Sequence, residues 1–252
     1  MILAHLSDLH FGQDEGDGRD AERALRRARR CVGYVNDLPG EVDAVLVTGD
    51  LADHGAPEEY HAARELLATL RFPVLACPGN HDDRVAYQRH FLQVPDDGGA
   101  AVNEVHHLAG ATIAMCDSSI PGRDDGLLDD PTLSWLDKVL TDAPADEPAF
   151  VCFHHPPALL HSALDDIRQF GAENLAALLA DHPNVVGVLC GHAHTAAATT
   201  FAGRPLLVAP GVVSTGVLPF ESSAPIDFGL PPAIAFHVLA DDRGLVTHFR
   251  SL

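Results

Sequence analysis

Apolar residues in this chain alternate between short continuous runs and longer stretches in which they recur every three or four positions, the pattern of β-α-β construction. The first run, Ile2 to Leu6, predicts a strand. A helix is expected over about Arg19 to Asp37, where Ala21, Ala24, Leu25, Ala28, Val32 and Val35 share one face opposite a row of arginines, and Leu38-Pro39-Gly40 ends it. Ala44 to Thr48 and Pro73 to Cys77 read as strands around a helix at about Pro57 to Leu70. After a segment at about Asp82 to Leu92, paired strands are expected near Val105 to Leu108 and Ala111 to Cys116. A helix at about Pro131 to Leu140 leads to a strand over Ala149 to Phe153, and a helix near Glu173 to Ala180 leads to another over Val185 to Cys190. The rest reads as β-rich, roughly Thr195 to Phe201, Leu206 to Ala209, Ala233 to Leu239 and Leu245 to Arg250. Pro210 to Pro232, rich in Gly, Pro and Ser, is too long for an ordinary connection, and such loops are more often functional than idle. There is no internal repeat, low-complexity tract or evident linker, so one α/β domain over 1–252 is expected.

Composition narrows the class. The 252 residues include 16 Lys or Arg against 36 Asp or Glu, a formal net charge of −20, which makes a nucleic-acid polymer a poor partner. An apolar fraction of 46% argues against disorder, and no run of apolar residues is long enough to span a membrane. Five cysteines form no C-x-x-C pair, and Cys77, Cys116, Cys152 and Cys190 lie in apolar runs, as small buried hydrophobes do. With no secretory signal pattern at Met1-Ile2-Leu3-Ala4-His5-Leu6, a reducing cytoplasm is the expected location.

Sixteen histidines is a high count, and their placement carries the chemistry. Five expected strands each run into a burst of metal-ligand residue types: Ser7-Asp8-Leu9-His10, Gly49-Asp50, Pro78-Gly79-Asn80-His81-Asp82, His154-His155-Pro156-Pro157 and Gly191-His192-Ala193-His194. In α/β sheets the carboxyl ends of the strands share one edge, where ligands bind, so bursts spread over nearly the whole chain converge. Two carboxylates, an amide oxygen and at least four imidazoles, without thiolate, suit borderline cations such as Mn, Fe, Zn or Co. That set is too large for one ion that keeps room for substrate, and it suits two ions sharing a bridging carboxylate. Asp8/His10 and His192/His194 sit two apart: on an extended chain their side chains point the same way, whereas a tight turn can split them between ions. Glycines 49, 79 and 191 fit close chain reversals beside the ligands.

Each burst has a plain alternative. Asp-x-His is more often a surface turn, Gly-Asp an ordinary turn, and Gly-Asn-His-Asp a helix start capped by Asn80 or Asp82. His154-His155-Pro156-Pro157 can be a strand-terminating turn, and His-x-His a solvated pair. All five in this order, each after an apolar strand, are not accidental.

The ordered motifs resemble those of the calcineurin-like metallophosphoesterase superfamily: Asp-x-His, Gly-Asp, Gly-Asn-His, a single His and Gly-His-x-His, spanning residues 8 to 194. Within it the chain is most similar to the compact class III cyclic-nucleotide phosphodiesterase and glycerophosphodiesterase branch, on His154-His155-Pro156-Pro157, Cys116-Asp117-Ser118 with Pro121-Gly122, and Gly126-Leu127-Leu128 with Trp135-Leu136. The resemblance implies a four-layer α-β-β-α sandwich. It implies that Asp8, His10 and His194 bind a first metal, that Asp50 bridges, and that Asn80, His154 and His192 hold a second, with His81 contacting the scissile phosphate and assisting the leaving oxygen. Some compact relatives dimerise and bring C-terminal loops near the site, so a homodimer and a site role for 210–232 are among the expectations.

The expected activity is hydrolysis of small phosphodiesters, cyclic nucleotides or glycerophosphodiesters, because two dications bind a phosphate oxygen and lower the pKa of a water toward neutrality for attack. A phosphomonoesterase or phosphonate monoesterase on the same site is the alternative. A non-catalytic scaffold is disfavoured because every motif position is filled, and a nuclease because the chain lacks a basic stripe. Asp53 and Asp82 are candidates to orient ligand imidazoles, with solvated carboxylates the alternative, and His155 reads as supporting or structural. Arg84 and Arg123 could meet a phosphate, though exposed Arg is the default. Cys77, Cys152 and Cys190 are not expected to bind metal, and His106, His107, His161, His237 and His248 read as surface or hydrogen-bonded core histidines.

Overall fold

The computed structural model describes residues 1–13 and 22–252, so the expected helix start at Arg19 and its residue Ala21 lie outside the described residues. In chain order the elements are β1 (Ile2–Leu6), α1 (Arg23–Asn36), β2 (Ala44–Thr48), α2 (Pro57–Leu67), β3 (Val74–Cys77) and a short α3 (Arg84–Ala86) that continues as a π-helical turn over Tyr87–Leu92. They go on through β4 (Glu104–Leu108), β5 (Ala111–Met115), β6 (Gly126–Leu127), α4 (Asp130–Asp142), β7 (Ala149–Cys152), β8 (Gln169–Phe170), α5 (Ala172–Asp181) and β9 (Val185–Cys190). The chain ends with β10 (Ala197–Phe201), β11 (Arg204–Val208), β12 (Thr215–Gly216), β13 (Ile226–Asp227), β14 (Ala233–Leu239) and β15 (Leu245–Ser251).

Two sheets carry the architecture. One has the order β15-β14-β1-β2-β3, the other β10-β11-β9-β7-β5-β4. The strands read as continuous apolar runs form the parallel parts of the sheets: β1, β2 and the edge strand β3 in the first, and β5, β7, β9 and β11 in the second. Every residue of β2 and β7 is buried because both faces are covered, which is why these strands are apolar without alternation. The antiparallel strand β15 closes one edge of the first sheet and alternates in exposure instead.

Side-chain alternation sorts each strand's residues into layers. Leu3, Ala44, Leu46 and Cys77 face Ile113, Met115, Phe150, Cys152 and Leu189 between the sheets. The opposite faces receive helices: Ala28, Val32 and Val35 of α1 and Tyr60, Ala63 and Leu67 of α2 on the first sheet, and Leu136, Leu140, Leu175 and Leu179 of α4 and α5 on the second. The result is the expected α-β-β-α sandwich, with each fully buried Leu contributing about 1.5–3 kcal/mol of transfer free energy.

Local signals set the helix ends. Pro57 opens α2, and Glu59 folds back so that its Oε2 accepts from the backbone N–H of Ala56 at 3.1 Å. Asp129 caps α4 by accepting from Thr132 N–H at 2.9 Å. α2 ends at Leu67, short of the expected Leu70, because Thr69 and Leu70 donate to Leu66 and Leu67 in a tightened last turn. Among the described residues no helix is long and apolar enough to cross a membrane.

Candidate metal centre

The parallel strands end at a common edge, and the loops leaving β1 and β2 stay paired beyond the strands. Asp8 N–H donates to Gly49 O at 3.2 Å, and His10 N–H to Asp50 O at 2.9 Å. These loops are not extended. Asp8, His10, Asp50, His192 and His194 all have positive φ, between 44° and 67°. Asp and His tolerate the left-handed region better than most residues, yet five cases at one edge is the concentration of backbone strain found at functional sites. The middle residues of both pairs, Leu9 and Ala193, are buried in the helix-side cores and anchor each turn from behind. Asp8/His10 and His192/His194 therefore meet the tight-turn reading, not the extended one.

The polar atoms converge in two sets. In the first, His10 Nε2 lies 3.3 Å from His194 Nε2, and His194 Nε2 lies 3.4 Å from Asp8 Oδ1. In the second, Asn80 Oδ1 lies 3.2 Å from His154 Nε2 and 3.1 Å from His192 Nδ1, with the two imidazole nitrogens 3.2 Å apart. Asp50 stands between them: its Oδ2 is 3.3 Å from His10 Nε2 and 3.2 Å from His154 Nε2. All seven residues expected as ligands are thus brought together, at the carboxyl ends of β1, β2, β3, β7 and β9. Gly79 must be glycine here, since a Cβ would collide with the Asp50 carboxylate.

The outer nitrogens explain what the inner ones offer. His10 Nδ1 is held by Asp53 Oδ1 at 2.8 Å, His154 Nδ1–H donates to the Thr48 carbonyl at 2.7 Å, and His194 Nδ1 meets Ser214 Oγ at 2.7 Å. Each ring thereby turns its Nε2 to the centre, where it confronts carboxylate and amide oxygens that also accept. Acceptor against acceptor is stable only with a proton or a cation between. Asp8 Oδ1 is buried with no hydrogen-bond partner among the described residues, as is His192 Nε2 on the far side of its ring. The donor set therefore fits cations.

The local field agrees. Burial pushes the His154 imidazole toward neutrality, but the adjacent Asp50 charge outweighs it and raises its pKa to about 9; His10 is raised in the same way. His192 and His194 are lowered, first by burial and then by neighbouring imidazoles. Burial opposes the Asp50 charge as well, yet His154 and His10 hold its pKa well below the usual carboxylate range. The carboxylates of Asp50 and Asp8 thus favour positive charge at the centre.

His81 lies outside both sets. Its side chain is 41% exposed, its ring stands edge-on to His10 at 4.6 Å, and its Nδ1–H donates to the Asp53 carbonyl at 2.8 Å. Its backbone N–H donates to Asp50 Oδ1 at 3.0 Å. The centre opens into a cleft of about 200 Å³ whose far wall is Leu164, Ile167, Ile226 and Phe228. Beyond Asn80 and His81 lies a second cavity of about 390 Å³, reached by Asp83, Gly99, Ser119 and Ile120.

Buried O/N donors in two sets around one carboxylate define a dimetal hydrolase centre on an α-β-β-α frame. The profile of the calcineurin-like phosphoesterase family matches residues 1–196, and the chain belongs to that family. It is 32% identical over 241 residues to the glycerophosphodiester phosphodiesterase GpdQ of Enterobacter lignolyticus, covering 94% of this chain and 86% of that one. It is also 32% identical over 220 residues to a cAMP/cGMP dual specificity phosphodiesterase of Mycobacterium tuberculosis, covering 85% and 68%. Among solved structures a dimetal phosphatase from Danio rerio superimposes with a TM-score of 0.76 over 100% of this chain and 96% of that one, at 18% identity, a likeness of fold.

The remaining expectations divide. Asp53 does orient a ligand-type imidazole, that of His10. Asp82 does not: its carboxylate accepts backbone N–H groups of Leu51, Ala52 and Gly79 at 2.9–3.1 Å and so shapes the Asp50 and Asn80 loops. Burial and then the Asp50 charge push its pKa up to about 6. His155 bonds Ser118 Oγ at 2.8 Å and packs its ring 4.6 Å from that of His192. Arg84 is tied to Asp117 at 2.8 Å and to the Ser119 carbonyl, and Arg123 to Asp125, so both guanidiniums already hold protein partners. Cys77, Cys152 and Cys190 are packed in the apolar layers with their thiol pKa pushed up by burial. Sequence reasoning missed Ser214, for which no signal existed, and Thr48, whose one hint is a hydroxyl at the end of an apolar strand.

Proposed function

We propose that this chain hydrolyses small phosphodiesters at a two-cation centre, with cyclic nucleotides and glycerophosphodiesters as the substrate class. The observation that carries this is the single oxygen Asp50 Oδ2, within 3.3 Å of an imidazole nitrogen from each set. In this reading Asp8, His10 and His194 hold one cation, Asn80, His154 and His192 hold the other, and Asp50 bridges. The donors are oxygen and nitrogen only, which favours borderline ions of the Mn, Fe, Zn or Co kind. When bound, the pair supplies Lewis-acid charge for a non-bridging phosphate oxygen and lowers the pKa of water at the centre.

The chain's own groups do the rest. With Nδ1–H given to the Asp53 carbonyl, His81 presents Nε2 toward the cleft. When protonated there it donates to the departing alkoxide, a form of general-acid help commonly worth about 10²–10⁴ in rate. Asp53 sets both His10, through its carboxylate, and His81, through its carbonyl, so metal ligand and proton donor share one support. The apolar wall of Leu164, Ile167, Ile226 and Phe228 excludes water from one side of the phosphate. The cavity beyond His81 offers room for an alcohol arm. Two of those wall residues and Ser214 come from 210–232, which supports a site role for that loop within a single domain.

The relatives named as phosphodiesterases support the choice of diester. Free, buried thiols at all five cysteines fit a reducing compartment such as the cytoplasm. The test is hydrolysis of bis(p-nitrophenyl) phosphate by Mn-loaded protein, followed by a panel comparing kcat/KM for diesters and their monoesters. Chelator-sensitive activity with preference for diesters is expected. Activity that survives complete metal removal, or preference for monoesters, overturns the reading.

A further inference from the structure

The layer between the two sheets is built mainly of apolar side chains, and a polar seam runs through it. Thr247 on β15 stands opposite His237 on β14, and His5 on β1 and Thr48 on β2 follow diagonally, each two residues off register on the same inner face of the first sheet, with Ser7 just beyond β1. His5, Thr48 and Ser7 are fully buried and His237 is 1% exposed. Uncompensated polar groups here would cost several kcal/mol each, so their bonding needs a full account.

The bonding can be followed from its fixed end. The Thr48 carbonyl can only accept, and Ser7 Oγ–H donates to it at 2.8 Å. Ser7 Oγ in turn accepts from Thr48 Oγ1–H at 3.0 Å. Having donated, Thr48 Oγ1 accepts from His5 Nε2–H at 2.8 Å. His5 Nδ1 then accepts from His237 Nε2–H at 2.9 Å, and His237 Nδ1 from Thr247 Oγ1–H at 2.8 Å. Both rings are held neutral with one defined tautomer, and every donor in the series points the same way. It ends on the Thr48 carbonyl oxygen that also receives His154 Nδ1–H. A carbonyl oxygen cannot pass a proton on, so the seam is not a conduit. What it fixes is position: Ser7 immediately precedes Asp8, and Thr48 immediately precedes Gly49-Asp50. The Gly191 turn is shaped around it, since a Cβ there would run into Ser7 Oγ.

We infer that His5 and His237 are positioning residues that set the second cation position by locking Thr48 and Ser7, and through the Thr48 carbonyl the ring of His154. The inference rests on the two-cation reading above. His237 belongs to no motif and lies far from the centre in sequence, joined to it through cross-strand neighbours.

The test is Mn(II) titration of metal-free protein by calorimetry, with kcat and KM measured alongside, in wild type, His237→Leu and His237→Gln. Gln keeps an N–H donor for His5, whereas Leu keeps none. In His237→Leu the second ion should bind about tenfold or more weakly while the first stays within about threefold, and His237→Gln should recover most of the loss. A purely structural seam would lower Tm and leave both ion affinities of the folded protein unchanged, and that result overturns the inference. If His237→Leu does not fold, Thr48→Val against Thr48→Ser decides by the same criterion, because only Ser keeps the hydroxyl. Wild-type protein that binds fewer than two ions overturns instead the reading on which the inference rests.

Discussion

The two halves of the centre are built from different material. Around His10 and His194 the chain places the carboxylate of Asp8, with the shared Asp50, and steadies the rings with side-chain partners, Asp53 and Ser214. Around His154 and His192 it places a neutral amide, Asn80, and steadies His154 with a backbone carbonyl, while His192 Nε2 has no partner among the described residues. The first set thus carries one more negative charge, and its rings lean on movable side chains. The second carries less charge and leans on the sheet. In the two-cation reading, that extra charge favours tighter binding in the first set.

The largest expected effect comes from removing what the halves share. Asp50→Ala should drop hydrolysis of bis(p-nitrophenyl) phosphate to background and lower metal content at both positions, measured by elemental analysis. Loss at only one position would break the picture of a bridge. His81→Ala, which touches neither set's ligand atoms, should slow kcat by about 10²–10⁴ with metal content near wild type. Equal metal loss in His81→Ala and Asp50→Ala would contradict the division between proton donor and ligand. Asn80→Asp sharpens the contrast by giving the second set the charge it lacks: the second Mn(II) should bind about tenfold or more tightly, read by calorimetry, with the first little changed. An unchanged second affinity would mean that charge does not separate the halves.

A smaller effect concerns the seam beneath the second set. Burial lowers His237 to about 3, and burial together with His237 lowers His5 well below its ordinary value. The folded chain therefore refuses protons that the unfolded chain accepts below about pH 6.5, so these two groups remove stability as pH falls from 6.5 toward 3. The slope is about 1.4 kcal/mol per pH unit for each. His237→Gln should flatten the fall of Tm between pH 6.5 and 5 relative to wild type, and an identical slope in both proteins would show that the pair is not held neutral.

These contrasts were unevenly legible in the sequence. The frame was, because apolar runs followed by Asp8, Asp50, Asn80, His154 and His192 are a local signal, and the parallel strand ends place them at one edge. The backbone at the ligands was not: spacing alone left extended and tight-turn geometries open for Asp8/His10, and only the positive φ values settle it. Asp53 and Asp82 looked equivalent as carboxylates near Asp50. They differ because one side chain reaches an imidazole and the other caps backbone N–H groups, a distinction set by loop shape. Ser214 and the His5–His237 pair depend on contacts between distant parts of the chain, so no periodicity within either segment could announce them.

The most direct test of the account is an anomalous-scattering map of Mn-loaded crystals. Two peaks flanking the Asp50 carboxylate are expected, one against Asp8, His10 and His194 and the other against Asn80, His154 and His192. A single peak, or none, in metal-replete protein would contradict it.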